Sequence, residues 1–131
     1  MRLLVTILLL FASTHVYSQT TKDLREMEAQ NQSCLDKGID MIGCQIRYYQ
    51  QLDSVLNLTY RNLRSKLSEK EKASLKTKQL KWLRERDAYF KKLENDRDKN
   101  DIETSNLAMY LSMNNYIEDR IIHLLKWQQK N

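Results

Sequence analysis

Apolar residues recur at steps of three and four from Met41 to Leu67: Met41, Cys44, Tyr48, Leu52, Val55, Leu56, Tyr60, Leu63 and Leu67. With 3.6 residues per turn these positions share one stripe, so the stretch predicts an amphipathic helix of about seven turns. Ser68-Glu69-Lys70-Glu71 then reads as a capping box, in which the Ser hydroxyl accepts the N3 backbone N–H and the Glu carboxylate reaches back. A second helix therefore starts at once, after a tight connection with neither Gly nor Pro. Leu75, Gln79, Trp82, Leu83, Arg86, Phe90 and Leu93 carry the period along it, and Lys70, Lys72, Lys76, Lys78 and Lys81 make its outer face basic. Asn95 to Thr104 is polar and dense in Asn and Asp, which predicts the next connection. From Ser105 the pattern resumes through Leu107, Tyr110, Leu111, Asn114, Ile117, Ile121, Leu124 and Leu125, a third long helix.

Upstream the signal weakens. Gln19 to Gln32 offers Leu24, Met27 and Ala29 among charges, which fits a short helix docked on the bundle or a frayed arm. Ser33 to Gly43 holds both glycines, Gly38 and Gly43, and suits a turn, with Asp40 as N-cap of the following helix. The chain has 131 residues, two Gly and no Pro, so helix breakers are nearly absent. The fold class is all-α: an antiparallel bundle of three long helices with a short N-terminal helix or arm and one disulfide.

The first residues change the picture by assigning a compartment. Arg2, the apolar run Leu3 to Ala12 and Val16-Tyr17-Ser18 have the order of a secretory signal, with cleavage expected after Ser18. Residues 1–18 are read as the signal peptide, 19–131 as one exported domain, periplasmic or secreted, monomeric and without a transmembrane segment in its mature form; about ten apolar residues fall short of the about 20 that span a bilayer. Export makes Cys34 and Cys44 a disulfide, worth roughly 2 to 3 kcal/mol for so short a loop. A metal site lacks ligands, since the only histidines are His15, in the signal, and His123.

Charge and chemistry narrow the function classes. The formal charge is +5 (22 Lys and Arg against 17 Asp and Glu); losing Arg2 leaves 21 against 17, or about +4. The basic residues of Ser65 to Glu94 are interleaved with acids rather than collected on one face with aromatic platforms, so nucleic acid is not the expected partner. No nucleophile–base pair, glycine-rich phosphate loop or cofactor motif occurs, and His123 lies between Arg120 and Lys126; the reading is a non-enzyme without cofactor. What stands out is a polar seam, Asp53, Asn57, Gln79, Arg86, Asp87 and Arg120, along otherwise apolar helix faces. Its plainer role is to fix helix register through buried partners, with Trp82 as a core anchor.

Cys34, Asp40-Met41, Cys44, Tyr49, Asp53, Leu56-Asn57, Tyr60, Leu75, Gln79, Trp82 and Arg86-Asp87 stand at spacings that resemble the lysozyme inhibitor LprI-like family of small exported helical domains. Asp-x-x-Leu-Asn-x-x-Tyr followed by Gln-x-x-Trp-x-x-x-Arg-Asp is a long gapped pattern that helical period alone does not produce. Arg120 and Leu124 are similar to the family's C-terminal end. Where the resemblance implies a second cysteine pair, this chain has Tyr89-Phe90 and a cysteine-free region around Ser112. The last helix is then expected to be held by packing alone. The resemblance implies a binding module whose partner is a lysozyme or another envelope protein. Common lysozymes are basic, so contact is expected at the acidic connection, through Asp96, Asp98 and Asp101. The alternative is a structural or cell-surface-associated envelope protein without a discrete ligand.

Overall fold

The computed structural model describes residues 20–130, all the long elements being helices. Helix α1 covers residues 20–35, α2 Met41–Ser65, α3 Glu69–Asn95 and α4 Ile102–Lys130. The signal reading of residues 1–18 lies outside the described residues. Side-chain pairs set the directions. Gln45 and Tyr48 of α2 meet Asn114 and Glu118 of α4 in ascending order, whereas Gln79 and Trp82 of α3 meet Arg120 and Tyr116 in descending order. Helices α2 and α4 therefore run parallel, with α3 antiparallel to both.

The weakly marked N-terminal segment is a regular helix. Leu24 is buried and Met27 packs against the core, so two apolar residues at i and i+3 dock it. Its far end is pinned by the Cys34–Cys44 disulfide, with Cα atoms 5.9 Å apart. The chain reverses through Gly38, at φ +63°, and Asp40, also left-handed at φ 52°, whose carboxylate accepts the Gly43 N–H at 3.1 Å. A Cβ at Gly43 would stand 2.0 Å from an Asp40 carboxylate oxygen, so a side chain there displaces the Asp40 carboxylate from its capping position.

The capping box opens α3 as the sequence predicts, the Ser68 N–H donating to Glu71 Oε2 at 2.9 Å and the Ser68 hydroxyl accepting the Glu71 N–H. The second connection is shorter than the predicted Asn95 to Thr104, because α3 persists to Asn95 and α4 begins at Ile102, where Asp101 accepts the Thr104 N–H as its cap.

Leu52, Leu56, Leu63, Leu75, Ile117, Ile121, Leu124 and Leu125 form the core. It is centred on the α2–α4 contact, and α3 touches that pair more sparsely, burying only Leu75, Gln79 and Trp82. The stripes that specify α2 and α4 carry enough branched aliphatics to pack closely; α3 substitutes bulky and polar groups, which hold it further off. A buried amide pair lies in the α2–α4 seam, where Asn114 Nδ2 donates to Gln45 Oε1 at 2.6 Å and to its backbone carbonyl at 3.1 Å.

Candidate functional site

Three surfaces emerge from this frame. The first is the polar seam. Gln79 Oε1 accepts two hydrogen bonds from Arg120, at 3.0 Å from Nε and 2.7 Å from Nη2. Both residues are buried, and the guanidinium also faces the Trp82 ring at 5.5 Å. Arg120 has no carboxylate partner among the described residues; burial pushes its pKa down from the ordinary guanidinium value, against the pull of Tyr116 and Glu85. Trp82 stacks on Tyr116 at 5.6 Å, and Tyr89 and Phe90 close on the same Tyr116 at 4.9 and 6.1 Å. This aromatic cluster joins α3 to α4 in the region where the resemblance implies a crosslink. The last helix is thus held by hydrogen bonds to a buried cation as well as by packing.

Across the α2–α3 face, neither Asp53 nor Asn57 makes a hydrogen bond or ion pair with Arg86. Arg86 instead binds its neighbour Asp87, at 2.7 Å, and lies over Trp82 and Phe90. Asn57 donates to the Asp53 carbonyl at 2.9 Å within α2. The reason is the sparse α2–α3 packing, which leaves both sets facing a gap that their side chains satisfy locally.

That gap is the second surface, a groove of about 560 Å³ between α2 and α3. Asp53, Asn57, Tyr60, Gln79 and Arg86 line it together, so the structure brings most of the predicted site residues to one place, with Trp82 and Asp87 just behind or beside them. Two of the lysines expected on the outer face of α3, Lys72 and Lys76, line the groove instead, with arginines that the sequence did not single out. Arg61, Arg64, Lys72 and Lys76 also line it, on Leu56, Leu80 and Leu83. The Lys-rich face of α3 was legible, but its juxtaposition with Arg61 and Arg64 follows from the hairpin.

The third surface is the acidic connection. Asp96 pairs with Lys92, Asp98 accepts the Asn100 N–H at 2.8 Å, and Asp101 caps α4. Arg97 ties the turn to the Glu94 carbonyl and to Asn106. The three predicted contact residues are therefore close in the chain and exposed, but each carboxylate also orders the turn.

One further acid, Glu118, lies within the electrostatic reach of Glu28 on α1. Tyr48 donates to Glu118 at 3.2 Å, and burial, then Glu28, raise the Glu118 pKa above the usual carboxylate range. The same burial, followed by the charge of Glu118, raises that of Tyr48. His123 is exposed; partial burial, then Arg120, Lys78, Lys126 and Lys130, lower its pKa. Among the described residues no helix is long and apolar enough to cross a membrane, and no cluster of metal-ligating side chains occurs.

Residues 27–124 match the family described as "Lysozyme inhibitor LprI". That span takes in all three surfaces and both cysteines. No curated protein and no solved structure matches the chain.

Proposed function

This chain belongs to the lysozyme inhibitor LprI family, and from that premise we propose that it is an exported binding module that blocks a lysozyme through the acidic turn between α3 and α4. Family membership is the observation that carries this reading; the disulfide supports export, since such bonds persist in oxidising compartments. The chain's overall charge of +5 gives no long-range attraction to a basic enzyme. Contact must then come from a local acidic element. The turn supplies Asp96, Asp98 and Asp101 at the tip of two long helices, fixed by its own hydrogen bonds before any partner arrives, which lowers the ordering cost of binding. The Gln79–Arg120–Trp82 seam acts as the scaffold that holds those helices.

The test is lysozyme-driven clearing of a cell-wall suspension, titrated with the mature oxidised protein. Inhibition should weaken as salt rises past the point where the Debye length falls below about 8 Å. Asp96→Asn, Asp98→Asn and Asp101→Asn together remove the charge while Asn still caps α4, so a loss of inhibition at unchanged Tm identifies the turn. Undiminished inhibition by that variant would place the contact elsewhere, and failure of the native protein against every lysozyme type would overturn the reading.

A further inference from the structure

The α2–α3 groove has a polarity that the lysozyme reading does not use. Its lining carries five cations, Arg61, Arg64, Lys72, Lys76 and Arg86, against one carboxylate, Asp53. The lining is therefore basic, although two of its cations carry their own counter-charges. Lys72 is paired with Glu69 and Arg86 with Asp87. Arg64 reaches Glu69 only through space, and the side chains of Arg61 and Lys76 have no hydrogen-bond or ion-pair partner among the described residues. Surface cations are normally interspersed with acids; here Arg61, Arg64 and Lys76 share a wall without an ion-paired carboxylate of their own.

The hairpin orders these groups from end to end. Arg61 and Arg64 lie one turn apart on α2, Lys72 and Lys76 one turn apart on α3, and the tight connection sets the two pairs opposite each other. Beyond them the lining becomes Leu56, Leu80 and Leu83, with Tyr60 beside them. Leu80 is 46% exposed, an apolar residue left on the groove wall although α2 stands across from it. Past the leucines, Tyr49 meets Phe90 at 6.3 Å, which brings the two helices together again. From Lys76 to Arg86 the groove runs about 15 Å at the helical rise, the length of an extended medium acyl chain.

We propose that the α2–α3 groove binds a single-chain anionic amphiphile, its carboxylate or phosphate head among Arg61, Arg64, Lys72 and Lys76 and its hydrocarbon along Leu80, Leu83 and Leu56. A bare anion would leave the leucines wet, and an uncharged apolar ligand would leave Arg61, Arg64 and Lys76 without a counter-charge. A fatty acid and a phosphate monoester both supply such a head, with the oxygen acceptors that Arg and Lys recognise. The acidic turn lies beyond the far end of α3, about 30 Å from Lys76 to Asp96 at the helical rise, so the cationic head site is separate from the one assigned to lysozyme.

Isothermal titration calorimetry of the mature oxidised protein tests the proposal, using dodecanoate and dodecyl phosphate below their micelle concentrations. One molecule should bind per chain, at least tenfold tighter than dodecyl maltoside or inorganic phosphate, and the stronger of the two anionic ligands identifies the head group. Arg61→Gln with Lys76→Gln, and separately Leu80→Gln, should each weaken binding at least tenfold at unchanged Tm, because all three residues are exposed. Lys126→Gln with Lys130→Gln, on α4, should leave it unchanged. Equal affinity for the uncharged detergent, equal affinity for inorganic phosphate, several molecules per chain, or indifference to the groove variants would each overturn the proposal. A synthetic acidic peptide binding to the same residues more tightly than either amphiphile would overturn it in favour of a protein partner.

Discussion

Removing Gln79 should destabilise the domain far more than removing Gln79 and Arg120 together would suggest. Arg120 is only 8% exposed and its two hydrogen bonds go to one Gln79 oxygen. Hydrogen bonds to a charged group contribute about 1.5 to 3 kcal/mol, and a buried charge left without its partner costs toward about 3 to 5 kcal/mol. The Trp82 face retains part of the stabilisation through its quadrupole, about 1 kcal/mol. Gln79→Leu is therefore expected to cost about 2 to 4 kcal/mol, roughly 10 °C in Tm for a domain of this size. Gln79→Leu with Arg120→Met replaces both polar groups by apolar ones of similar length and should recover at least half of that loss. Urea denaturation followed by circular dichroism gives each free energy, and the double-mutant cycle isolates the coupling. A Gln79→Leu cost below about 0.5 kcal/mol, or a cycle that closes additively, would show that the buried guanidinium is satisfied by something other than Gln79.

Two further outcomes are expected. Glu118 has a folded pKa raised by burial and by Glu28, so its contribution is present below the unfolded carboxylate pKa and is lost as pH rises through the folded value; Glu118→Gln should raise Tm at neutral pH and leave it unchanged near pH 3, and an equal shift at both pH values would refute the assignment. Reduction of Cys34–Cys44 should cost about 2 to 3 kcal/mol and release α1 first, because the bond pins the end of a short helix that docks through the buried Thr20 and Leu24 and through Met27; hydrogen exchange should show protection lost in residues 20–35 while α2 and α4 keep theirs, and unchanged protection in α1 would refute it.

The parts of the fold legible in the sequence are those where local signals and burial agree. Ser68 and Glu71 mark the start of α3, the two cysteines and Asp40 mark the start of α2, and the leucine and isoleucine stripes mark the faces that α2 and α4 bury. Helix α1 was faint because two apolar residues among charges resemble a frayed arm, and what fixes it, docking plus a disulfide at its end, is tertiary. Gln45 was invisible for a related reason. A glutamine beside Cys44 looks like a surface residue until Asn114, 69 positions away, supplies its donor. Gln79 and Arg86 share one stripe of α3, yet the sequence does not show that Gln79 is bound by Arg120 of α4 and Arg86 by its neighbour Asp87. Spacing along one helix says which residues share a face, and which neighbouring helix that face meets depends on how closely each pair packs.

That distinction also explains why the chain can carry two opposite charges on one small bundle. In a closely packed three-helix domain the α2–α3 face would be filled by leucines, as the α2–α4 face is, and cations would be confined to the outer surface. Here Trp82, Tyr89 and Phe90 fill the space between α3 and α4. Leu75 and the short turn hold α3 at one end, and Tyr49 against Phe90 holds it at the other. The middle of the hairpin is left open, and Arg61, Arg64, Lys72 and Lys76 can face one another there at the cost of mutual repulsion. That repulsion stabilises nothing in the free domain. It is relieved by an anion, and the same helix delivers the acidic turn at its other end, so the length of α3 keeps the two fields several Debye lengths apart.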